Sequence, residues 1–151
     1  MLSSLVSYSR LVYTIPDQFP SVRRSTLVLK PMGVAVGELE GRMDFENDIA
    51  LRVYEVINFA AATLTYYSYT VYRGDEKLYW YDPQPHPDDS TLASTHPHHK
   101  HVPSDIEHNR IPAPGLTLDQ PNLPFLIQEI EETLLRFTKQ PPAASPPVTA
   151  G

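Results

Sequence analysis

Apolar and charged positions alternate with a period of two from Val34 to Phe45. Ala35, Gly37, Leu39, Met43 and Phe45 share one side, and Glu38, Glu40, Arg42 and Asp44 share the other. One apolar and one charged face predict a half-buried antiparallel strand. Gly41 within it predicts a bulge or a close approach of another backbone. After a polar turn at Glu46-Asn47-Asp48, Ile49, Leu51, Val53 and Ile57 repeat the pattern, and Glu55 falls on their side. A carboxylate on an apolar face must be paired, hydrogen-bonded or protonated, because isolated burial is costly. It reads either as a strand-end residue reaching solvent or an Arg, or as a site carboxylate with a perturbed pKa.

The β-branched and aromatic run 62–73, with Tyr66, Tyr67, Tyr69 and Tyr72, predicts a third strand. Arg73-Gly74-Asp75-Glu76 reads as a hairpin turn, and 77–82 as the strand pairing back. Before these, 23–30 reads as a strand through Leu27, Val28 and Leu29. Leu2, Leu5, Val6 and Val12 give a short N-terminal helix that Pro16 and Pro20 end. The pattern is lost from Pro83 to Pro124, where nine prolines fall, and 106–120 reads as meandering chain. It returns as a helical stripe of Leu123, Leu126, Ile127, Ile130, Leu134 and Phe137, capped by Asn122, with Pro124 in its first turn and Glu129, Glu131 and Glu132 outside. The expected fold is α+β: a single antiparallel sheet of about five strands, a C-terminal helix packed on it and a short N-terminal helix. The expected organisation is an N-terminal helical extension over 1–20, one domain over 21–138 with a His/Pro-rich loop at 83–121, and a disordered Pro-rich tail over 139–151.

Composition narrows this picture. The chain has 151 residues, 41% of them hydrophobic, enough for one modest core. No run is apolar and long enough to span a membrane as a helix, and the N-terminal residues lack the basic and apolar regions of a secretory signal. A cytoplasmic protein is expected, with no membrane partner. The absence of cysteine removes disulfides, thiolate catalysis and thiolate zinc sites. A net charge of −6 argues against a protein that coats nucleic acid, yet allows a small pocket with a few local cations.

The chemistry is concentrated in one place. All six histidines lie between His86 and His108, four of them within 96–101. Imidazole carries protons and binds metals near neutral pH. Metal-independent RNA cleavage needs a base for the 2′-hydroxyl, an acid for the leaving oxygen and a cation for the developing charge. His86, His98, His99 and His101 supply candidates for the first two, and Lys100 or Arg52 for the third. In extended chain His99 and His101 point one way, His98 and Lys100 the other. Asp82 or Glu55 would orient an imidazole, and Tyr69 and Tyr81 could donate to a substrate phosphate. The rival is a metal: the imidazoles with Asp82, Asp88 or Asp89 offer enough donors, although the spacing matches no helical zinc signature. An acid–base site without metal or cofactor is placed ahead of it. A mobile His/Pro loop and a protein-interaction module using the acidic faces and a sheet edge remain the non-catalytic readings.

These residues carry a resemblance. The Glu40-Gly41 strand, the Leu-Arg-Val-Tyr-Glu-Val strand at 51–56, Tyr67-x-Tyr69, the Tyr-Asp-x-x-Pro-His step ending at His86 and Pro-His-His-Lys-His-Val at 97–102 together resemble the TumE family, toxins of bacterial toxin–antitoxin pairs. The likeness covers roughly 25–135. Trp80 stands where the family pattern has Arg, and Pro87 where a second His follows His86. The resemblance implies a small α+β protein that inhibits growth, acts on RNA and is neutralised by a helix-turn-helix antitoxin encoded beside it. Self-association into a homo-oligomer is left open.

Overall fold

The computed structural model describes residues 1–135. Phe137, at the end of the helical stripe, and the expected tail at 139–151 lie outside the described residues. The N-terminal helix is α1 (Leu5–Tyr13), capped by the Ser4 hydroxyl, which accepts from the Ser7 amide, and followed by the short α2 (Ile15–Gln18).

The sheet is antiparallel and has eight strands among the described residues, where the sequence pattern gives about five. The strands are β1 (Arg24–Ser25), β2 (Val28–Pro31), β3 (Val36–Asp44), β4 (Ile49–Asn58), β5 (Thr63–Arg73), β6 (Glu76–Asp82), β7 (His99–His101) and β8 (Arg110–Pro112). They run in the order β1-β3-β4-β5-β6-β7-β8, and β2 also pairs with β3. Three additions separate this from the expectation. The strand read at 23–30 is two short strands, interrupted at Thr26–Leu27. The stretch read as loop contributes β7, and the stretch read as meandering chain contributes β8, each only three residues long and paired by main-chain bonds. A three-residue strand leaves no periodicity to detect.

Gly41 explains the interruption. It has φ +145°, and a Cβ there would lie 2.5 Å from the Thr26 carbonyl oxygen and 2.8 Å from Leu27 Cα. The chain between β1 and β2 thus runs directly against the Gly41 backbone, which is the close approach the sequence predicts. Gly41→Ala combines a disfavoured backbone region with a clash against main chain that has no rotamer to yield. It is expected to destabilise the protein by about 2–4 kcal/mol, read as a lowered urea midpoint. An unchanged midpoint would show that the strand junction is free to shift.

One face of the sheet carries the core, with Leu39, Met43, Leu51, Val53, Ile57, Tyr67, Tyr69 and Val71 all fully buried. Helices α1 and α3 (Leu123–Ile130) bond to this face: Tyr8 of α1 reaches Glu55, and Tyr81 donates to Glu129 of α3. A π turn (Glu131–Leu135) continues α3. Asn122 stands at the start of α3 but makes no side-chain cap; its buried amide donates to Tyr69 Oη at 3.2 Å and to the Thr117 carbonyl at 2.9 Å. The opposite face presents Glu38, Glu40, Arg42, Arg52, Tyr54, Thr70 and Trp80 along its strands.

A candidate histidine–carboxylate centre

Antiparallel register decides which of the candidate residues meet. Trp80 lies opposite His101, Tyr81 opposite Lys100 and Asp82 opposite His99. Directly paired residues share a face, so Asp82, His99, His101 and Trp80 gather on the side away from the helices, and Lys100 joins Tyr79 and Tyr81 on the core side.

Asp82, His99 and His101 are buried, with relative exposures of 5%, 1% and 3%. The Nε2 atoms of His99 and His101 are 3.0 Å apart. His99 Nε2 is 3.2 Å from Asp82 Oδ1, and His101 Nε2 is 3.2 Å from Asp82 Oδ2. The other ring nitrogens are anchored on main chain: Nδ1 of His99 on the Pro97 carbonyl at 3.2 Å, Nδ1 of His101 on the Ile106 carbonyl at 3.1 Å. A carbonyl only accepts, so each Nδ1 carries a proton towards the main chain, and the Nε2 atoms of both rings are aimed at the carboxylate and at each other. Asp82 Oδ1 also accepts from the Gln84 amide at 2.8 Å. Burial pushes the Asp82 carboxyl up, but the His99 contact, the Gln84 amide and the nearby imidazoles outweigh it and leave its pKa lowered. Burial and the neighbouring His99 lower that of His101, against the pull of Asp82.

Aromatic rings wall the centre. Trp80 stacks on His101 with centroids 3.6 Å apart and planes within 6°, and His86 meets the His99 ring edge-on at 4.8 Å. His86 and Arg110 also line a cavity of about 510 Å³ with Pro85, Pro87, Asp88, Asp89 and Ser90. Arg110 pairs with His101 across β7 and β8. Trp80 Nε1 and Arg110 Nε are buried without a hydrogen-bond partner among the described residues. These two donors lie one on each strand flanking His101.

The remaining candidates sit elsewhere. Glu55 is fully buried under the helices, accepting from the Tyr8 and Tyr69 hydroxyls. Burial pushes its carboxyl up to about 7, against the two tyrosine bonds that favour the ionised form. Tyr69 is spent on this network and on Asn122. Lys100 pairs with Glu129 at 3.3 Å and lies 4.1 Å from the Tyr79 ring centroid, and the Tyr81 hydroxyl donates to the same Glu129. Glu129, read as facing outward, instead turns to the sheet. His98 lies against Tyr67, its Nδ1 within hydrogen-bonding reach of the hydroxyl and the rings stacked. Arg52 is exposed beside Arg42, in the same cross-strand row as His101 but three strands away, roughly 14 Å. So Asp82, His99 and His101 form one centre with His86 against it, and Glu55, Lys100, His98, Tyr69, Tyr81 and Arg52 do not join it.

Tyr8, Asn122, Glu129 and Arg110 carry no signal in the sequence, since each acts through a contact distant along the chain. Trp80 does carry one, as the residue that departs from the family pattern.

The fold and site define a small α+β protein with a buried histidine–carboxylate centre at one end of an antiparallel sheet. The family model for toxin TumE matches residues 13–134, and the chain belongs to that family. It is a toxin of a toxin–antitoxin system and has an antitoxin as its partner. No curated protein and no solved structure matches the chain. No helix among the described residues is long and apolar enough to cross a membrane.

Proposed function

We propose that the toxin cleaves RNA at the Asp82–His99–His101 centre and is neutralised by a helix-turn-helix antitoxin. The observation that carries this reading is the pair of unpartnered buried donors, Trp80 Nε1 and Arg110 Nε, on the strands either side of His101. They are suited to phosphate oxygens beside a group of proton-accepting atoms. The cavity lined by His86 and Arg110 gives the substrate a place to enter. Arg42 and Arg52 extend the same cross-strand row and supply cations for the backbone further along.

In the reaction the 2′ oxygen bonds to the adjacent phosphorus as the bond from phosphorus to the 5′ oxygen breaks, giving a 2′,3′-cyclic phosphate and a 5′-hydroxyl. The centre takes the 2′ proton, His86 returns a proton to the leaving oxygen, and Arg110 offsets the charge on the phosphorane. Trp80 offers a stacking surface, which binds bases without sequence preference.

Expressed without its antitoxin, the protein is expected to arrest growth, and Arg110→Ala or Trp80→Ala to relieve the arrest. Arrest undiminished in both variants would remove this assignment. A purified protein that leaves RNA intact while binding its antitoxin tightly would favour a non-catalytic interaction module.

A further inference from the structure

We propose that Asp82, His99 and His101 form a binding site for a divalent transition-metal ion of the zinc type. The proposal deepens the function read above by naming what the centre holds, and it reverses the metal-free acid–base pair expected from sequence. Three donor atoms, one from each residue, lie within 4.8 Å of one another. The two Nε2 atoms and the nearer carboxylate oxygens stand 3.0–3.2 Å apart. Ligand atoms around a tetrahedral ion with bonds of ~2.0–2.1 Å stand roughly 3.3 Å apart. Little movement separates the two arrangements.

The anchoring of the two rings points the same way. With both Nδ1–H groups held by the Pro97 and Ile106 carbonyls, the two Nε2 atoms and the carboxylate converge on one point among buried residues. A cation at that point would meet all three ligand atoms. A shared proton satisfies one pair of atoms, whereas a divalent ion satisfies all three donors at once. Main-chain carbonyls on the distal nitrogens are what fixes the tautomer and ring orientation of metal-bound histidine. The Gln84 amide does the same for the carboxylate. Two imidazoles and one carboxylate suit zinc, iron, cobalt or nickel over calcium and magnesium.

Geometry also weighs against separate acid and base roles for His99 and His101. An in-line displacement places its base and acid on opposite sides of phosphorus, and nitrogens 3.0 Å apart serve only one side. Three protein ligands leave a coordination position for water or a phosphate oxygen, as catalytic sites do and structural ones do not. With an ion held there, a water in that position would supply the base for the 2′ proton, and no free imidazole would be needed.

Zinc chloride titrated by calorimetry into chelator-stripped full-length protein, without RNA, is expected to bind at one ion per chain with micromolar or tighter affinity. Cobalt(II) is expected to show the intense visible bands of a four- or five-coordinate ion. Asp82→Asn, which keeps the side chain's shape, should weaken zinc binding at least tenfold while leaving the circular dichroism spectrum unchanged. His96→Ala with His108→Ala, both exposed and outside the centre, should leave it intact. No saturable binding, a weak six-coordinate cobalt spectrum, or binding lost with His96 and His108 but kept in Asp82→Asn would overturn the proposal. Metal binding without RNA cleavage would sink the RNA reading and leave the site standing; RNA cleavage with no saturable metal binding would do the reverse.

Discussion

Replacing His101 by alanine is expected to lower RNA cleavage by about 10²–10⁴-fold, the range spanned by loss of a proton-transfer group. The side chain is central to every contact the centre makes: 3.0 Å from His99, 3.2 Å from Asp82 and stacked on Trp80. Its loss removes one of three converging donors, frees Asp82 to rotate and takes away the surface that fixes the indole. Because the ring is also packed, His101→Gln belongs beside it; its amide replaces one polar contact and conserves part of the volume. Both variants should remain folded by circular dichroism, since β7 is held to β6 and β8 by main-chain bonds. Cleavage at the wild-type rate in both would show that the centre is architectural only.

The second large effect concerns stability. The carboxyl of Glu55 ordinarily titrates near 4.5, and burial raises it to about 7 in the folded protein. A carboxyl whose folded value is raised binds its proton more tightly when folded, so the stability Glu55 contributes is fully present below pH 4.5 and is lost as pH rises towards 7. The shift corresponds to about 3 kcal/mol across that window, at about 1.4 kcal/mol per pH unit. Glu55→Gln keeps the shape and cannot ionise. The wild-type free energy of unfolding minus that of Glu55→Gln should therefore fall by about 3 kcal/mol between pH 4.5 and pH 8 and level off above. Parallel curves would mean that Glu55 stays in one protonation state throughout. Glu55→Leu tests the other side of the network: it leaves the Tyr8 and Tyr69 hydroxyl protons without their acceptor, each at a cost of about 1–3 kcal/mol, although Tyr69 keeps its bond from Asn122.

The network also shows what a sequence discloses and what it withholds. Glu55 stood out because it broke a period of two; it neither reaches solvent nor pairs with an Arg, but is fully buried and accepts from Tyr8 and Tyr69. Its partners were hidden, since Tyr8 lies 47 residues away on a helix and reaches it only once the sheet is assembled. The long strands β3 to β6 were legible because each extends over enough residues for alternation to register. The strands β7 and β8 were not, since three residues among prolines and polar side chains give no pattern and only pairing makes them strands. The same-face relation of His99 and His101 followed from two-residue spacing. That Asp82 meets them, while Lys100 turns to Glu129 and His98 to Tyr67, depends on the register between β6 and β7, which no local feature encodes. Arg110 was invisible for a similar reason: its significance comes from lying across β7 from His101.

The most direct test of RNA cleavage at this centre is to incubate a labelled RNA with purified wild-type toxin and with Asp82→Asn, and to identify the new ends. The predicted result is fragments ending in 2′,3′-cyclic phosphate from wild type and intact RNA from Asp82→Asn. RNA left whole by the wild type, or cut equally by both proteins, would contradict it.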